Sequence, residues 1–439
     1  MTNENINSTR SLISFLENSP TAFHAVDEIA KKLNAEGFTR LSEGEEWALV
    51  DGGKYYVTRN MSSIIAFAIP EGCAKSFMIT ASHTDSPTYK LKTATETDAF
   101  GKYVKLNVEA YGGMIASSWL DRPLSIAGRV IVKNGGAIST KLVKIDRDLV
   151  LIPNVAIHQN RTVNNGFAYN AAVDLMPLFA SADNKGSLKK IVAEAAGCSA
   201  DDIIGSDLYL YNRTPASVWG ADCEFFSAPR IDNLQCAYST LCGFLNALNG
   251  KLCKAIPIFS SFDNEETGSS TKQGADSQFL FDTLSRITDY LGTTLRSALP
   301  ASFMVSADNG HAKHPNHPEL SDGANSPHMN CGVVIKSNAA QKYTTDAISS
   351  AIFGEICARA GVPTQLFANR SDMAGGSTLG SISNTNVALN TVDIGLAQLA
   401  MHSSYETGGC ADTAYMISAI TEFYKTAIKC DGDGSYTLD

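Results

Sequence analysis

Apolar positions near the start of the chain recur with helical spacing, first at Leu12, Ile13 and Leu16. After a Ser19-Pro20-Thr21 break they recur at Ala25, Val26, Ile29 and Leu33, as far as Gly37. Two helices are therefore predicted before any strand. Short runs follow: Tyr55–Arg59, Ile64–Ile69 and Phe77–Ala81 read as strands, and the last is apolar on both faces, as a central sheet strand must be. It leads straight into His83-Thr84-Asp85. Between residues 95 and 222 the texture changes to short β-type runs (Val104–Val108, Gly128–Val132, Leu149–Ile152) with frequent Gly and Asn and few long helical patterns. That texture predicts an inserted β-rich domain. Helix and strand then alternate again, with apolar strands at Ala255–Phe262, Ser302–Ala307, Cys331–Lys336 and Val387–Ile394 and a helix carrying Ile348, Ile352 and Ile356. Residues 1–94 and 223–439 are thus expected to form one α/β domain, and the Gly/Asp-flavoured tail after Cys430 is expected to fray.

Composition narrows the class. A chain of 439 residues exceeds the size at which one hydrophobic core keeps growing, and 44% hydrophobic with 18% charged residues is ordinary for a soluble globular protein. A formal charge of −10 and a pI near 5.3, with no long Lys/Arg run, argue against nucleic acid or an anionic membrane as partner. The polar start, Met1 to Arg10, lacks the basic and apolar regions of a secretory signal, and no apolar run reaches membrane-spanning length. The ten cysteines are scattered singly with no Cys-x-x-Cys pair, which suggests neither a thiolate zinc site nor a disulfide framework and points to the reducing cytoplasm.

The chemistry collects at strand ends. Three apolar strands run into His83, into Glu265-Glu266 and into Asp308, and in open α/β sheets ligands bind outside the carboxyl ends of the strands. Burying unpaired carboxylates there is costly, and a divalent cation removes that cost. Arg230-Ile-Asp232-Asn233 and Met401-His402-Ser403 add two further ligand types, and a His, Asp, Glu, Asp, His inventory suits a pair of zinc or similar ions. Asp232, the sole acid of its loop, is the candidate for sharing between them. Whether Glu266 or Asp308 joins His83 stays open at this level. So does the choice between Glu265 and Glu266: successive side chains diverge, so one ligates while the other handles a proton. Asp85 is placed to hydrogen-bond His83 and fix its tautomer.

An isolated Glu-Glu pair is ordinarily a solvated surface or a helix start, and a lone His402 ordinarily a satisfied interior histidine. Their placement and sequence surroundings favour the metal reading. The tract His311-Ala-Lys-His314-Pro-Asn-His317 is broken by Pro315 and is not taken as a third metal cluster. Gly375-Gly-Ser-Thr378 has no following Lys, so it reads as a turn lining the substrate site rather than a phosphate cradle. Asp121 and Arg122 read as a structural ion pair.

The motifs His83-Thr-Asp85-Ser-Pro, Tyr111-Gly-Gly with Trp119-Leu-Asp121-Arg122, Pro229-Arg-Ile-Asp232-Asn233, Asp263-Asn-Glu265-Glu266, Ser306-Ala-Asp308 with His311, and Met401-His402-Ser403 resemble, in this order, the aspartyl aminopeptidases. Ser19-Pro20-Thr-Ala-Phe-His24 and Pro153-Asn-Val-Ala-Ile-His158 extend the resemblance over nearly the whole chain. It implies a zinc exopeptidase-like α/β fold, a mixed central sheet flanked by helices, interrupted by a β-rich dimerisation domain (95–222) and assembled as a tetrahedral dodecamer. It also implies two zinc ions per subunit, with manganese or cobalt as substitutes, held by His83, Asp232, Glu266, Asp308 and His402, with Asp232 bridging and Glu265 as general base. Substrate contacts fall by resemblance on His158, lent by a neighbouring subunit, and on His311, Lys336 and Tyr343. The implied reaction is removal of an unblocked N-terminal Asp or Glu from peptides. The alternatives are an aminopeptidase of broad or neutral specificity and an amide-cleaving deacylase on the same fold. An assembly protein that binds metal without turnover is disfavoured by Glu265 beside a full ligand set.

Overall fold

Phe77, Ile79 and Ala81 pack into one apolar core and Met78 into another, so the strand Phe77–His83 is buried on both faces. Thr80, on the Met78 side, is satisfied by the Tyr424 hydroxyl at 2.6 Å. Each fully buried Phe or Leu of such a core contributes about 1.5–3 kcal/mol relative to exposure. The computed structural model describes residues 2–72, 74, 76–250 and 255–439.

That strand lies near the middle of a nine-stranded sheet, in the order Thr39–Leu41, Lys54–Arg59, Ser63–Ala68, Ile256–Phe262, Phe77–His83, Phe303–Ala307, Asn390–Gly395, Val333–Lys336, Thr364–Phe367. The four strands from Ile256–Phe262 to Asn390–Gly395 are mutually parallel, with antiparallel pairs on either side of them, so the sheet is mixed as expected. The helices Asn3–Asn18, Ala22–Ala35, Ile231–Leu248, Ala347–Arg359 and Asp412–Lys425 cover one face. Phe279–Tyr290, Leu295–Ala298 and Leu379–Ser383 cover the other. Capping is visible locally: Asp346 accepts the Ser349 N–H at 2.8 Å and the Ser349 hydroxyl bonds back to the Asp346 N–H at 3.0 Å.

A six-stranded antiparallel sheet takes all its strands from between Thr88 and Asn212 and has a core of its own around Tyr89, Leu106, Trp119, Ile126 and Val130. It begins at Thr88, before the expected 95, because the central strand ends at His83 and the chain enters the strand Thr88–Ala99 directly after Pro87. Ser217–Trp219, placed in the insertion by sequence, instead joins a five-stranded sheet with Phe225–Ala228, Glu406–Gly409, Ala397–Leu399 and Gly310–His311.

Other expectations change too. Leu149–Ile152 makes only isolated bridges, since the N–H groups of Leu149 and Val150 both go to the Leu124 carbonyl and no ladder can run on. The tail after Cys430 does not fray: Ile428–Gly432 and Ser435–Leu438 pair as a hairpin about Asp433-Gly434, a turn signal, and the Tyr436 hydroxyl accepts from Asn390 at 2.9 Å. Among the described residues no helix is long and apolar enough to cross a membrane.

Candidate active site

Phe262 pairs with His83 and Ser306 with Ala81, so three neighbouring parallel strands end at the same edge of the sheet. His83 closes its strand. Glu265 and Glu266 follow Asp263 and Asn264, whose φ of 63 turns the chain into the short helix Glu265–Thr267, and Asp308 follows Phe303–Ala307. Asp232 arrives from the start of Ile231–Leu248, where its own φ −78 and ψ 113 are not helical. His402 (φ 66) sits in the turn between Ala397–Leu399 and Glu406–Gly409.

These side chains converge. His83 Nε2 lies 3.5 Å from Asp232 Oδ1, 3.5 Å from Asp308 Oδ1 and 3.9 Å from Glu265 Oε2. His402 Nε2 lies 3.3 Å from Asp232 Oδ2 and 3.4 Å from Glu266 Oε2. Asp232 therefore turns one oxygen towards each imidazole. The separations are long for hydrogen bonds, and Asp232 Oδ1 and Glu266 Oε1 are buried with no hydrogen-bond partner among the described residues. His83, Asp232 and Glu266 each offer a ligand atom, all within 4.8 Å of one another. Four carboxylates facing two imidazoles in a buried cleft fit divalent cations by both geometry and charge.

The electrostatics agree. Burial, reinforced by Asp232, holds Glu266 well above the usual carboxylate range. Burial, with Asp308, Asp85 and Asp232 adding to it, pushes Glu265 up to about 8. For His83 burial opposes protonation, but Asp232, Asp308 and Asp85 outweigh it and the imidazole is held well above its ordinary value. For Asp232 burial is outweighed by His402 and His83, and its carboxyl sits below the usual range. The cluster thus resists ionising all its acids at once.

Two buried acids hold the cluster in shape. Asp85 Oδ1 accepts the Glu265 N–H and Oδ2 the Glu266 N–H, both at 3.2 Å, and His83 Nδ1 lies 3.3 Å from Oδ1 and 3.1 Å from the Asp85 carbonyl. Glu406 Oε2 accepts the Asp232 N–H at 3.0 Å, and Oε1 accepts the His402 N–H at 2.8 Å and Gln398 Nε2 at 3.2 Å.

Comparison with known proteins decides what this arrangement belongs to: residues 15–424 match the family model described as aminopeptidase I zinc metalloprotease (M18). The chain belongs to the M18 family. It is 45% identical over 426 residues to the probable M18 family aminopeptidase 2 of Clostridium acetobutylicum, covering 94% of this chain and 98% of that one. Among solved structures, Ape4 in its cryo-EM complex with Nbr1 matches with a TM-score of 0.92 at 34% identity, over 96% of this chain and 86% of that one. The S. cerevisiae mApe1 dodecamer matches with a TM-score of 0.85 at 26% identity, over 97% of each chain. As an M18 protein the chain is a zinc metalloaminopeptidase, a hydrolase acting as an exopeptidase.

The remaining positions of this M18 chain fall in different places. Lys336 is buried at the end of its strand, where its Nζ donates to the Asn309 carbonyl at 2.9 Å and lies 3.7 Å from Asp308 Oδ2 and 5.5 Å from the Tyr343 ring centre. His311 stacks edge-on against Phe367 with ring centres 6.4 Å apart, and desolvation together with Lys336 holds its pKa below the ordinary value. His158 is exposed on a turn closed by the Asn160 N–H on the Ala156 carbonyl, and no described contact links it to the other site residues. His314 and His317 stack on each other, 5.3 Å between ring centres, and His317 pairs with Glu319. Thr378 bonds Asp393 at 2.6 Å.

Asp121 and Arg122 do not pair with each other. The turn at Asp121 (φ 56) gives them different neighbours: Asp121 accepts from the N–H and side chain of Asn154, while Arg122 donates to the Ser118 carbonyl and lies over the Tyr405 ring. Sequence reasoning missed Glu406 entirely. Its one signal is an acid inside a buried β run four residues past His402.

Proposed function

We propose that the chain removes N-terminal Asp or Glu residues from short peptides, using two zinc ions. In this reading His83 and Asp308 would hold one, His402 and Glu266 would hold the other, and Asp232 would be shared between them. The observation that carries it is the division of the Asp232 oxygens, 3.5 Å from His83 and 3.3 Å from His402. The pairing of Asp308 with His83 and of Glu266 with His402 follows the shortest separations, 3.5 and 3.4 Å. Zinc bound there supplies Lewis-acid polarisation of the scissile carbonyl and acidifies the attacking water. Glu265 stands at the edge of the ligand set, 3.9 Å from His83 Nε2, and serves as the base: it takes the water proton and hands it to the leaving amine. Asp85 holds His83 in one tautomer and fixes the backbone of Glu265.

The acidic preference rests on Lys336, whose buried ammonium donates to the Asn309 carbonyl, lies 3.7 Å from Asp308 Oδ2 and is the cation a substrate carboxylate would meet. Tyr343 and His311 flank it. His158 belongs, in this reading, to a neighbouring subunit's cleft, reached because residues 95–222 act as a dimerisation domain within a tetrahedral dodecamer. The mApe1 neighbour is a dodecamer. Residence in the cytoplasm accords with the free cysteines Cys198, Cys223, Cys236, Cys242, Cys331, Cys357, Cys410 and Cys430.

Rates on aspartyl, leucyl and lysyl anilides and on an acylated amino acid test this reading. Turnover is expected on the aspartyl compound far above the others. Equal rates on the three anilides would mean broad specificity, and cleavage of the acylated amino acid alone would mean a deacylase.

A further inference from the structure

The Tyr111-Gly112-Gly113 motif comes from the insertion, yet it lies against the hydrolytic cluster. Tyr111 ends the strand Tyr103–Tyr111 of the six-stranded sheet, paired with Thr88. Its hydroxyl donates to Asp85 Oδ2 at 2.6 Å and accepts from Asn264 Nδ2 at 2.8 Å. Asp85 is the acid that receives the N–H groups of Glu265 and Glu266 and faces His83. The Tyr111 hydroxyl is thus a side-chain donor, brought in from another sheet, to the carboxylate that orders three site residues. Burial and the charges of Asp85 and Asp263 push its pKa strongly upward, so it stays a donor at any working pH. Its ring is aimed by the insertion itself, edge-on to Tyr209 of the strand Ile203–Asn212 with ring centres 5.8 Å apart.

The residues that follow continue along the site. Gly112 (φ 74) packs so closely that a Cβ there would lie 3.1 Å from Glu266 Cβ and 3.5 Å from Glu266 Oε2. The Ile115 N–H donates to the His402 carbonyl at 3.0 Å. The Ser118 hydroxyl accepts the Ser404 N–H at 2.8 Å. A single stretch of the insertion therefore touches, in order, Asp85, Glu266, His402 and the turn beyond it.

We propose that Tyr111 is a positioning residue for hydrolysis: through Asp85 it sets the orientation of His83 and of the Glu265-Glu266 backbone, making the inserted sheet a working part of the active site. The proposal rests on the roles given above to Asp85, Glu265 and Glu266. It goes beyond them by assigning a function to a residue outside the central sheet.

The test uses the full-length zinc-loaded protein carrying Tyr111→Phe, which removes the hydroxyl and keeps the ring. A loss of about 10- to 100-fold in kcat with KM nearly unchanged is expected, and zinc affinity, read by competition with a chromophoric chelator, should weaken by about 10-fold or more. Tyr211→Phe is the matched control: it deletes another buried hydroxyl bond of the same sheet, to the Ile145 carbonyl at 2.8 Å, and should leave both readouts at wild-type values. Should Tyr111→Phe fail to fold, Gly112→Ala supplies the second variant, with the same expected loss of zinc affinity from the displaced Glu266. Wild-type kcat and zinc affinity in the folded variant, or equal losses in the Tyr211→Phe control, overturn the proposal. Unimpaired turnover by Glu265→Gln would instead overturn the functional reading beneath it, whatever Tyr111→Phe does.

Discussion

Glu406 Oε2 accepts the backbone N–H of Asp232 at 3.0 Å, across a gap of more than 170 residues in sequence. The other oxygen takes the N–H of His402 at 2.8 Å, so one buried carboxylate fixes the backbone of the bridging candidate and of a histidine ligand candidate together. Burial, with Asp232 adding to it, pushes Glu406 up to about 8.

Glu406→Ala leaves the buried N–H of Asp232 and the part-buried N–H of His402 without an acceptor, at about 1–3 kcal/mol each. Equilibrium unfolding in urea should show a loss of about 2–6 kcal/mol, and zinc content after dialysis should fall with it. Retention of both would show that the carboxylate is dispensable.

Glu265→Gln separates chemistry from binding. A general base contributes about 10²- to 10⁴-fold, so kcat should fall by that factor while zinc measured by atomic absorption stays at the wild-type level. His402→Ala should lose zinc as well as activity. Zinc loss in Glu265→Gln would move that residue into the ligand set.

How far the sequence reaches is clear from these residues. His83, Glu265, Glu266 and Asp308 were legible because each follows an apolar strand, and pattern places such strands well. Their pairing was not, because it depends on strand order: Ile256–Phe262 inserts between Ser63–Ala68 and Phe77–His83, and no local pattern carries that. Glu406 and Tyr111 act through contacts with distant segments and carry no metal-like spacing. The hairpin at Asp433-Gly434 is not legible in the sequence because turn composition and frayed-end composition look alike until a partner strand is known.

His24 predicts an acid-sensitive fold. Burial, with Lys144 and Arg230 also disfavouring the charged form, lowers its pKa from 6.5 to about 4, and its Nδ1 is 2.9 Å from the Thr21 hydroxyl. The folded state binds fewer protons than the unfolded state between those values, so stability falls as pH drops from 6.5 towards 4, by about 3 kcal/mol for this group. Urea unfolding at pH 7 and pH 4.5 should show a smaller difference in His24→Asn than in the wild type. An identical difference would remove His24 from the account.

Lys336→Met tests specificity. A hydrogen bond to a charged group is worth about 1.5–3 kcal/mol, so kcat/KM on aspartyl anilide should fall about 10- to 100-fold relative to leucyl anilide. Equal losses on both substrates would assign Lys336 to the support of Asp308, 3.7 Å away, and leave the acidic preference without its cation.

Chelation should cost stability, because the cluster then keeps four carboxylates facing two imidazoles without a cation. Thermal unfolding after treatment with a strong chelator should shift to lower temperature and recover on adding zinc. An unchanged transition would mean that metal binding contributes little to the fold.

The central claim is that Asp232 bridges two zinc ions. Anomalous scattering from crystals of the zinc-loaded protein, recorded on both sides of the zinc absorption edge, tests it most directly. The account predicts two peaks, one beside His83 and Asp308, the other beside His402 and Glu266, with Asp232 between them. A single peak, or two peaks that do not share Asp232, would contradict it.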